Sequence, residues 1–170
     1  SVGADAASRG ISVELKASEA PGAPSAGKVQ LYSASHALVI GNDRYRNRAW
    51  GRLSNGVNDA KRMAKALEAR GFDVTLETDL NSVRLRKAFK DFFIEKGREE
   101  NARLFVWYAG HGATVDGEGY LIPTDGVAPG DEVGFLNSAV SLRDFGTFVR
   151  YAKSKHVFTV FDSCFAGTIF

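Results

Sequence analysis

L-F-V-W-Y-A-G-H-G (residues 104–112) is an apolar run that stops abruptly at small residues and a histidine. Leu104 to Tyr108 is too short for a stable helix and rich in aromatic and β-branched side chains. It therefore reads as a strand buried on both faces. V-F-T-V-F-D-S-C-F-A-G (residues 157–167) repeats the pattern, with Val157 to Phe161 as the strand and Asp162-Ser163-Cys164 at its exit. Upstream, Ala37-Leu38-Val39-Ile40 closed by Gly41-Asn42 is a third such run.

The segments between these runs alternate in period. Ala60, Met63, Ala64 and Leu67 fall at i, i+3, i+4 and i+7, a helix stripe for which Gly71 is a natural C-terminal stop. Phe72, Val74 and Leu76 alternate as a strand. Asn81 can cap a second helix with Leu85, Ala88, Phe89 and Phe92 on its inner face. T-V-D-G-E-G-Y-L (residues 114–121) predicts a small hairpin about Asp116-Gly117, followed by a loop to Val140. Ser141 can cap a third helix carrying Leu142, Phe145 and Val149. Strands alternating with helices predict an α/β fold, a three-layer sandwich with a mainly parallel sheet covered on both faces. Ligands of such sheets bind beyond the carboxyl ends of the strands.

Residues 1–35 differ from residues 36–170. Ile11, Val13 and Leu15, then Val29 and Leu31, alternate with polar residues and predict two short strands. Between them, E-A-P-G-A-P-S-A-G (residues 19–27) has linker composition. We therefore expect an N-terminal extension over 1–35 and one main domain over 36–170.

Bulk properties exclude several classes. The chain has 170 residues, 44% hydrophobic and 25% charged, enough for one globular core. A net charge of +2 gives no electrostatic support for a nucleic-acid or anionic-membrane partner. No apolar stretch approaches the ~20 residues that span a bilayer, and no signal peptide is visible. A cytoplasmic location is favoured, although the chain starts at Ser1 rather than Met. We thus expect a fragment or processed form, with any upstream targeting information outside it.

The chemistry-bearing residues are His111 and the single cysteine, Cys164. Either alone reads as an ordinary loop or packing residue; His36 and His156 begin strands and read that way. His111 and Cys164, however, follow the same end of two strands expected to be parallel. A thiolate is the reactive form of cysteine, and an imidazole can generate it and later protonate a leaving amine. Gly112 leaves room for a substrate carbonyl beside its backbone N–H, and the Cys164 N–H can supply a second oxyanion donor.

Y-A-G-H-G (residues 108–112) followed by D-S-C-F-A-G (residues 162–167) resembles the histidine and cysteine motifs of the caspase-like peptidases. The two residues are 164 − 111 = 53 apart, close to the ~50 of caspases. The resemblance runs from about His36 to Phe170 and includes A-L-V-I-G-N at the first strand and N-D-A-K-R-M entering the first helix. It implies the large catalytic subunit of a caspase-like fold without its C-terminal, small-subunit strands.

Asp162 stands where the caspase signature has Gln, and Gly167 lies three residues after the cysteine. D-S-C-x-x-G is similar to metacaspases and the related bacterial orthocaspase-like enzymes, which implies cleavage after Arg or Lys. Asp59, in V-N-D-A-K, matches a second acidic pocket residue of metacaspases; read alone, it serves equally as a helix first-turn acid. Two carboxylates can grip one guanidinium. Departures from the pattern are Phe165, where metacaspases often carry His, and the absence of a clear calcium-binding acidic cluster. Asp125, Asp131, Glu132 and Asp144 are scattered, and calcium needs about 6–8 oxygen ligands, so no cofactor is expected. The expected partners are a substrate with Arg or Lys and a small-subunit segment from the same gene. That segment would be released by self-cleavage at a basic residue beyond Phe170 and would remain associated.

Two other readings are weaker. G-H-G-A-T-V superficially resembles a phosphate loop but lacks the third glycine and opens a hairpin. A catalytically silent scaffold would be expected to have lost His111 or Cys164, and both are present.

Overall fold

The computed structural model describes residues 10–18, 21 and 25–163. Cys164, Phe165 and Gly167 lie outside the described residues, as does part of the expected linker. Strands β1 (Ile11–Lys16) and β2 (Ser25–Tyr32) form an antiparallel ribbon. Then come β3 (Ala34–Gly41), α1 (Gly56–Glu68), β4 (Asp73–Thr78), α2 (Ser82–Glu95) and β5 (Ala102–Ala109). The hairpin β6 (Gly112–Val115) and β7 (Glu118–Leu121) precedes α3 (Glu132–Ser138), β8 (Val140–Ser141), α4 (Leu142–Val149) and β9 (His156–Asp162).

The central sheet has the order β4-β3-β5-β9 with every pair parallel, so the α/β sandwich expected from the sequence is present. The chain passes outward from β3 to β4 and returns across β3 to β5. The carboxyl ends of β3 and β5 therefore flank the point where strand order reverses, the preferred ligand position in such sheets. Register fixes what stands there: Gly41 pairs with Ala109, and Ala109 with Asp162, at one level across three strands.

Helix α1 covers one face. Ala60, Ala64 and Leu67 meet Ala37, Val39, Trp107 and Ala109. Its approach to β3 is close because the facing residues are small. A Cβ built on Gly41 would lie 2.5 Å from the Gly56 carbonyl oxygen and 2.7 Å from the Ala60 Cβ. Helices α2 and α4 cover the other face. Phe145 packs edge-to-face on Phe89 at 5.1 Å, on Phe93 at 5.7 Å and on Phe161 at 5.1 Å. The expected caps are present: Asn81 Oδ1 accepts from Arg84 N at 2.9 Å, and Ser141 Oγ from Asp144 N at 2.9 Å. The hairpin turns at Asp116 (φ +50°) and Gly117 (φ +77°), both left-handed as a two-residue type I′ turn demands.

One expectation is corrected. Residues 122–139 are not all loop: α3 lies there, capped by Asp131 and anchored by the buried Phe135. With seven residues and an internal Gly134, it has too little periodicity to show in sequence. Strand β9 has the apolar run of a buried strand but, among the described residues, is the edge of the sheet, as expected where small-subunit strands are lacking, and Phe158 is 63% exposed. Val157 and Phe161 pack toward α2 and α4, whereas Phe158 and Phe105 stack with each other at 5.7 Å beside the area that α1 covers.

Gly41→Ala is expected to destabilise the protein by about 1–3 kcal/mol through overpacking of α1 on β3. Gly146→Ala in α4 meets nothing within 4 Å and is expected to stabilise by about 0.5–1 kcal/mol from helix propensity. Urea midpoints of the two variants, moving in opposite directions, check the packing of these helices.

Candidate active site

Beyond the carboxyl ends of β3, β5 and β9 lies a cleft of about 400 Å³, walled by Leu53 to Gly56, Asp59, Ala109, Gly110, His111, Asp162 and Ser163. Thus His111, Asp59 and Asp162, singled out separately along the sequence, meet in one place. Gly112 is the first residue of β6, next to His111. Cys164 follows Asp162 by two residues, as His111 follows Ala109 by two, and Ala109 and Asp162 are register partners.

His111 is held by contacts from the loop between β3 and α1. Its Nε2 lies 2.6 Å from the Gly51 carbonyl oxygen. A carbonyl only accepts, so Nε2 carries the hydrogen. In the neutral ring, Nδ1 is then the free base. The His111 backbone N–H donates to the Tyr45 hydroxyl at 2.7 Å. The Tyr45 ring stands edge-on to the imidazole at 4.5 Å, and Trp50 lies tilted against it at 5.9 Å. Burial pushes the Tyr45 phenol up to about 12, with the hydrogen bond from the His111 backbone opposing the shift. Beneath it the buried Tyr108 hydroxyl donates to the Ile122 carbonyl at 2.8 Å, and its pKa too is raised well above the usual value by burial. Gly110 is required between these hydroxyls, since a Cβ there would lie 2.6 Å from each.

The loop that supplies Tyr45, Trp50 and Gly51 is itself tied down. Asp43 Oδ2 accepts from Val57 N at 3.1 Å and the Asp43 carbonyl from Leu53 N at 3.1 Å, closing the loop on itself. Asp79, left-handed at φ +51°, accepts from the N–H groups of Asp43 and Arg44 at 2.9 Å each. The Trp50 indole donates to the Val127 carbonyl at 3.3 Å. Sequence reasoning missed Tyr45, Trp50 and Gly51. The only available signal was an aromatic pair in an otherwise polar loop, and a backbone carbonyl leaves no side-chain signature.

Asp59 occupies the first turn of α1 and also faces the cleft, so both readings of it hold geometrically. It pairs at 3.6 Å with Arg62 one turn on, a largely exposed contact. Asp162 is exposed at the end of β9. Two of the scattered acids are occupied locally: Asp125 accepts from Ser82 N at 2.7 Å, and Asp131 from Gly134 N at 3.0 Å. Among the described residues no group of three or more His, Cys, Asp or Glu side chains is placed to hold a metal ion. No helix among them is long and apolar enough to cross a membrane.

Comparison with known proteins gives one family match. A family model described as the caspase domain matches residues 34–169. No curated protein matches the sequence. Among solved structures, the fold is similar to protein GSU0716 from Geobacter sulfurreducens, with a TM-score of 0.60 and 18% identity. That match covers 79% of this chain and 52% of the other, so the chain spans about half the length of the solved relative.

Tyr45→Phe removes the acceptor of the His111 N–H and is expected to cost about 1–3 kcal/mol. An unfolded tyrosine ionises near 10.0 and Tyr45 near 12. The fold therefore binds this proton more tightly, and the associated stability is lost as pH rises between those values. Urea midpoints at pH 9 and pH 11 are expected to fall less steeply with pH in Tyr45→Phe than in the parent; equal slopes would show that Tyr45 ionises freely.

Proposed function

The chain belongs to the caspase domain family, a peptidase family, and from that premise we propose that it is a cysteine endopeptidase acting through a His111–Cys164 dyad on bonds that follow Arg or Lys. The observation that carries this reading is the contact of His111 with the Gly51 carbonyl, from which its tautomer follows. Its Nε2–H is engaged by Gly51 at 2.6 Å, which leaves Nδ1 as the base at the carboxyl end of β5. The adjacent strand leads into Cys164 at the matching offset.

In the proposed reaction the Cys164 thiol gives its proton to His111 Nδ1. The thiolate attacks the scissile carbonyl carbon, and the C=O pair moves to oxygen, where the Gly112 and Cys164 N–H groups are the candidate donors. Collapse breaks the C–N bond as Nδ1–H protonates the departing amine, leaving a thioester. Water, deprotonated by Nδ1, then releases the acid and restores the thiol. The Gly51 carbonyl stabilises the imidazolium formed on the way and keeps the ring from turning.

Specificity is assigned to charge. Asp59 and Asp162 are the carboxylates that line the cleft, and together they favour a cation and disfavour an acidic side chain. This supports the metacaspase-like and orthocaspase-like branch over the Asp-specific caspases. No cofactor enters the proposed reaction.

The two-piece arrangement is also proposed. The β9 edge and exposed Phe158 are suited to cover by further strands and loops of the same gene product. Unpaired edge groups are otherwise a liability. Self-cleavage at a basic residue beyond Phe170 is compatible with the proposed specificity.

Cys164→Ala and His111→Ala are each expected to abolish hydrolysis of an Arg peptide by the full gene product, with the double variant no worse than either. Asp162→Asn is expected to lower kcat/KM on that peptide by roughly 1.5–3 kcal/mol, the usual worth of a hydrogen bond to a charged group. Near-parental turnover in verified Cys164→Ala protein would end the cysteine-peptidase reading. A preference for Asp in a positional library would instead overturn only the pocket. Coexpression tests the two-piece arrangement: full activity of residues 1–170 alone as a monomer would refute it.

A further inference from the structure

The two carboxylates of the proposed pocket are not equivalent. Asp59 and Asp162 both line the cleft that holds His111. They also line a second recess of about 540 Å³, together with Arg62, Met63, Ala66 and Trp107. The acidic pair is therefore the common boundary of the two spaces. Among the described residues no cation pairs with the Asp162 carboxylate. Asp59 already has one, since Arg62 Nη1 lies 3.6 Å from its Oδ1. Residues three apart on a helix are neighbours, and Asp59 in the first turn of α1 thus has Arg62 beside it. The pair is loose. Arg84 meets Glu77 at 3.0 Å and Arg143 meets Glu118 at 3.1 Å, both within hydrogen-bond range. Arg62 and Asp59 stand farther apart than that, and the Arg62 side chain is 85% exposed. Exposed pairs of this kind contribute little to stability, so a second cation can displace Arg62 at small cost.

We infer that Arg62 occupies Asp59 in place of the substrate's basic side chain and competes with it, so that Arg62 sets how tightly Arg and Lys peptides bind. The inference rests on the peptidase reading above and deepens it. In the unliganded protein Asp162 is the open carboxylate and Asp59 the occupied one. An entering guanidinium or ammonium can meet Asp162 at once. Contact with Asp59 as well requires Arg62 to move off, because two cations on one carboxylate repel each other. The apolar wall of Met63, Ala66 and Trp107 offers the aliphatic stem of the displaced Arg62 a surface to lie on while its charge stays in water. Arg62 therefore weakens substrate binding without touching the reacting atoms, and its removal acts on affinity rather than on the chemical step.

The test uses the full gene product and a peptide with a single Arg. In Arg62→Gln protein KM is expected to fall on the order of threefold at low salt, the worth of an exposed ion pair, with the change in KM rather than in kcat. Arg62→Lys keeps the competing cation and is expected to restore a KM close to the parent's. Fluorescence anisotropy with the same peptide in Cys164→Ala protein reads the affinity without turnover and is expected to show the same gain on Arg62→Gln. A further comparison asks whether Asp59 is the group contested. In Asp59→Asn protein Arg62 has no carboxylate there to occupy, so the gain from Arg62→Gln is expected to shrink toward one. An unchanged or raised KM in Arg62→Gln protein would overturn the inference while leaving the peptidase reading intact. So would a gain that persists undiminished in Asp59→Asn protein, which would mean that Arg62 acts through its charge at a distance and not by holding Asp59. Failure of the parent protein to cleave or bind the Arg peptide would overturn both.

Discussion

The hydrogen bond between His111 Nε2 and the Gly51 carbonyl, 2.6 Å long, joins two parts of the molecule with separate origins. One is the end of β5, whose position is set by the parallel ladder. The other is the irregular loop between β3 and α1, whose position is set by Asp43, Asp79 and the aromatic residues beneath it. A histidine on a strand end alone would be free to choose either tautomer and several rotamers. The loop removes that freedom, because a carbonyl can only accept and because Tyr45 and Trp50 bracket the ring. The tight fit of α1 on β3 serves the same end: Gly41, Gly56 and Ala60 let the helix start close to the strand exit, which places Asp59 beside the cleft.

Much of the framework was legible in the sequence because it depends on patterns a chain cannot disguise. Buried parallel strands need continuous apolar runs, and those at residues 37–40, 104–108 and 157–161 are all strands. Asn81 and Ser141 cap helices because short polar side chains satisfy free N–H groups. Asp116-Gly117 turns because both residues accept positive φ. What escaped notice depends on long-range geometry. Helix α3 is stabilised by packing Phe135 against Tyr120 at 4.9 Å rather than by its own periodicity. Tyr45 reads as a polar-loop aromatic until β5 brings His111 to its hydroxyl.

Strand β9 shows how one sequence pattern can hide two environments. Its four apolar residues about Thr159 resemble the run of the fully buried β3, yet only one of its faces is well covered. Phe161 sits in the cluster with Phe145, while Phe158 stacks on Phe105 at 63% exposure. Periodicity reports how apolar a strand is, not which neighbours exist to cover it. A hydrophobic area of this kind, contiguous with Val160 at the margin of the α1 cluster, is energetically suited to burial beneath another element.

This matters for the chemistry because β9 carries Asp162 and leads to Cys164. Among the described residues the strand is held on one side only, by its ladder to β5. The imidazole, by contrast, follows an internal strand by two residues and is braced from the β3–α1 loop. The two halves of the proposed dyad therefore differ in how rigidly their supports are built. Whatever pairs with the β9 edge would constrain its exit more than that of β5, since β5 already has neighbours on both sides. Occupancy of that edge is thus the physical variable to which the proposed acidic pocket and proposed nucleophile would be most sensitive, while the orientation of His111 would change little.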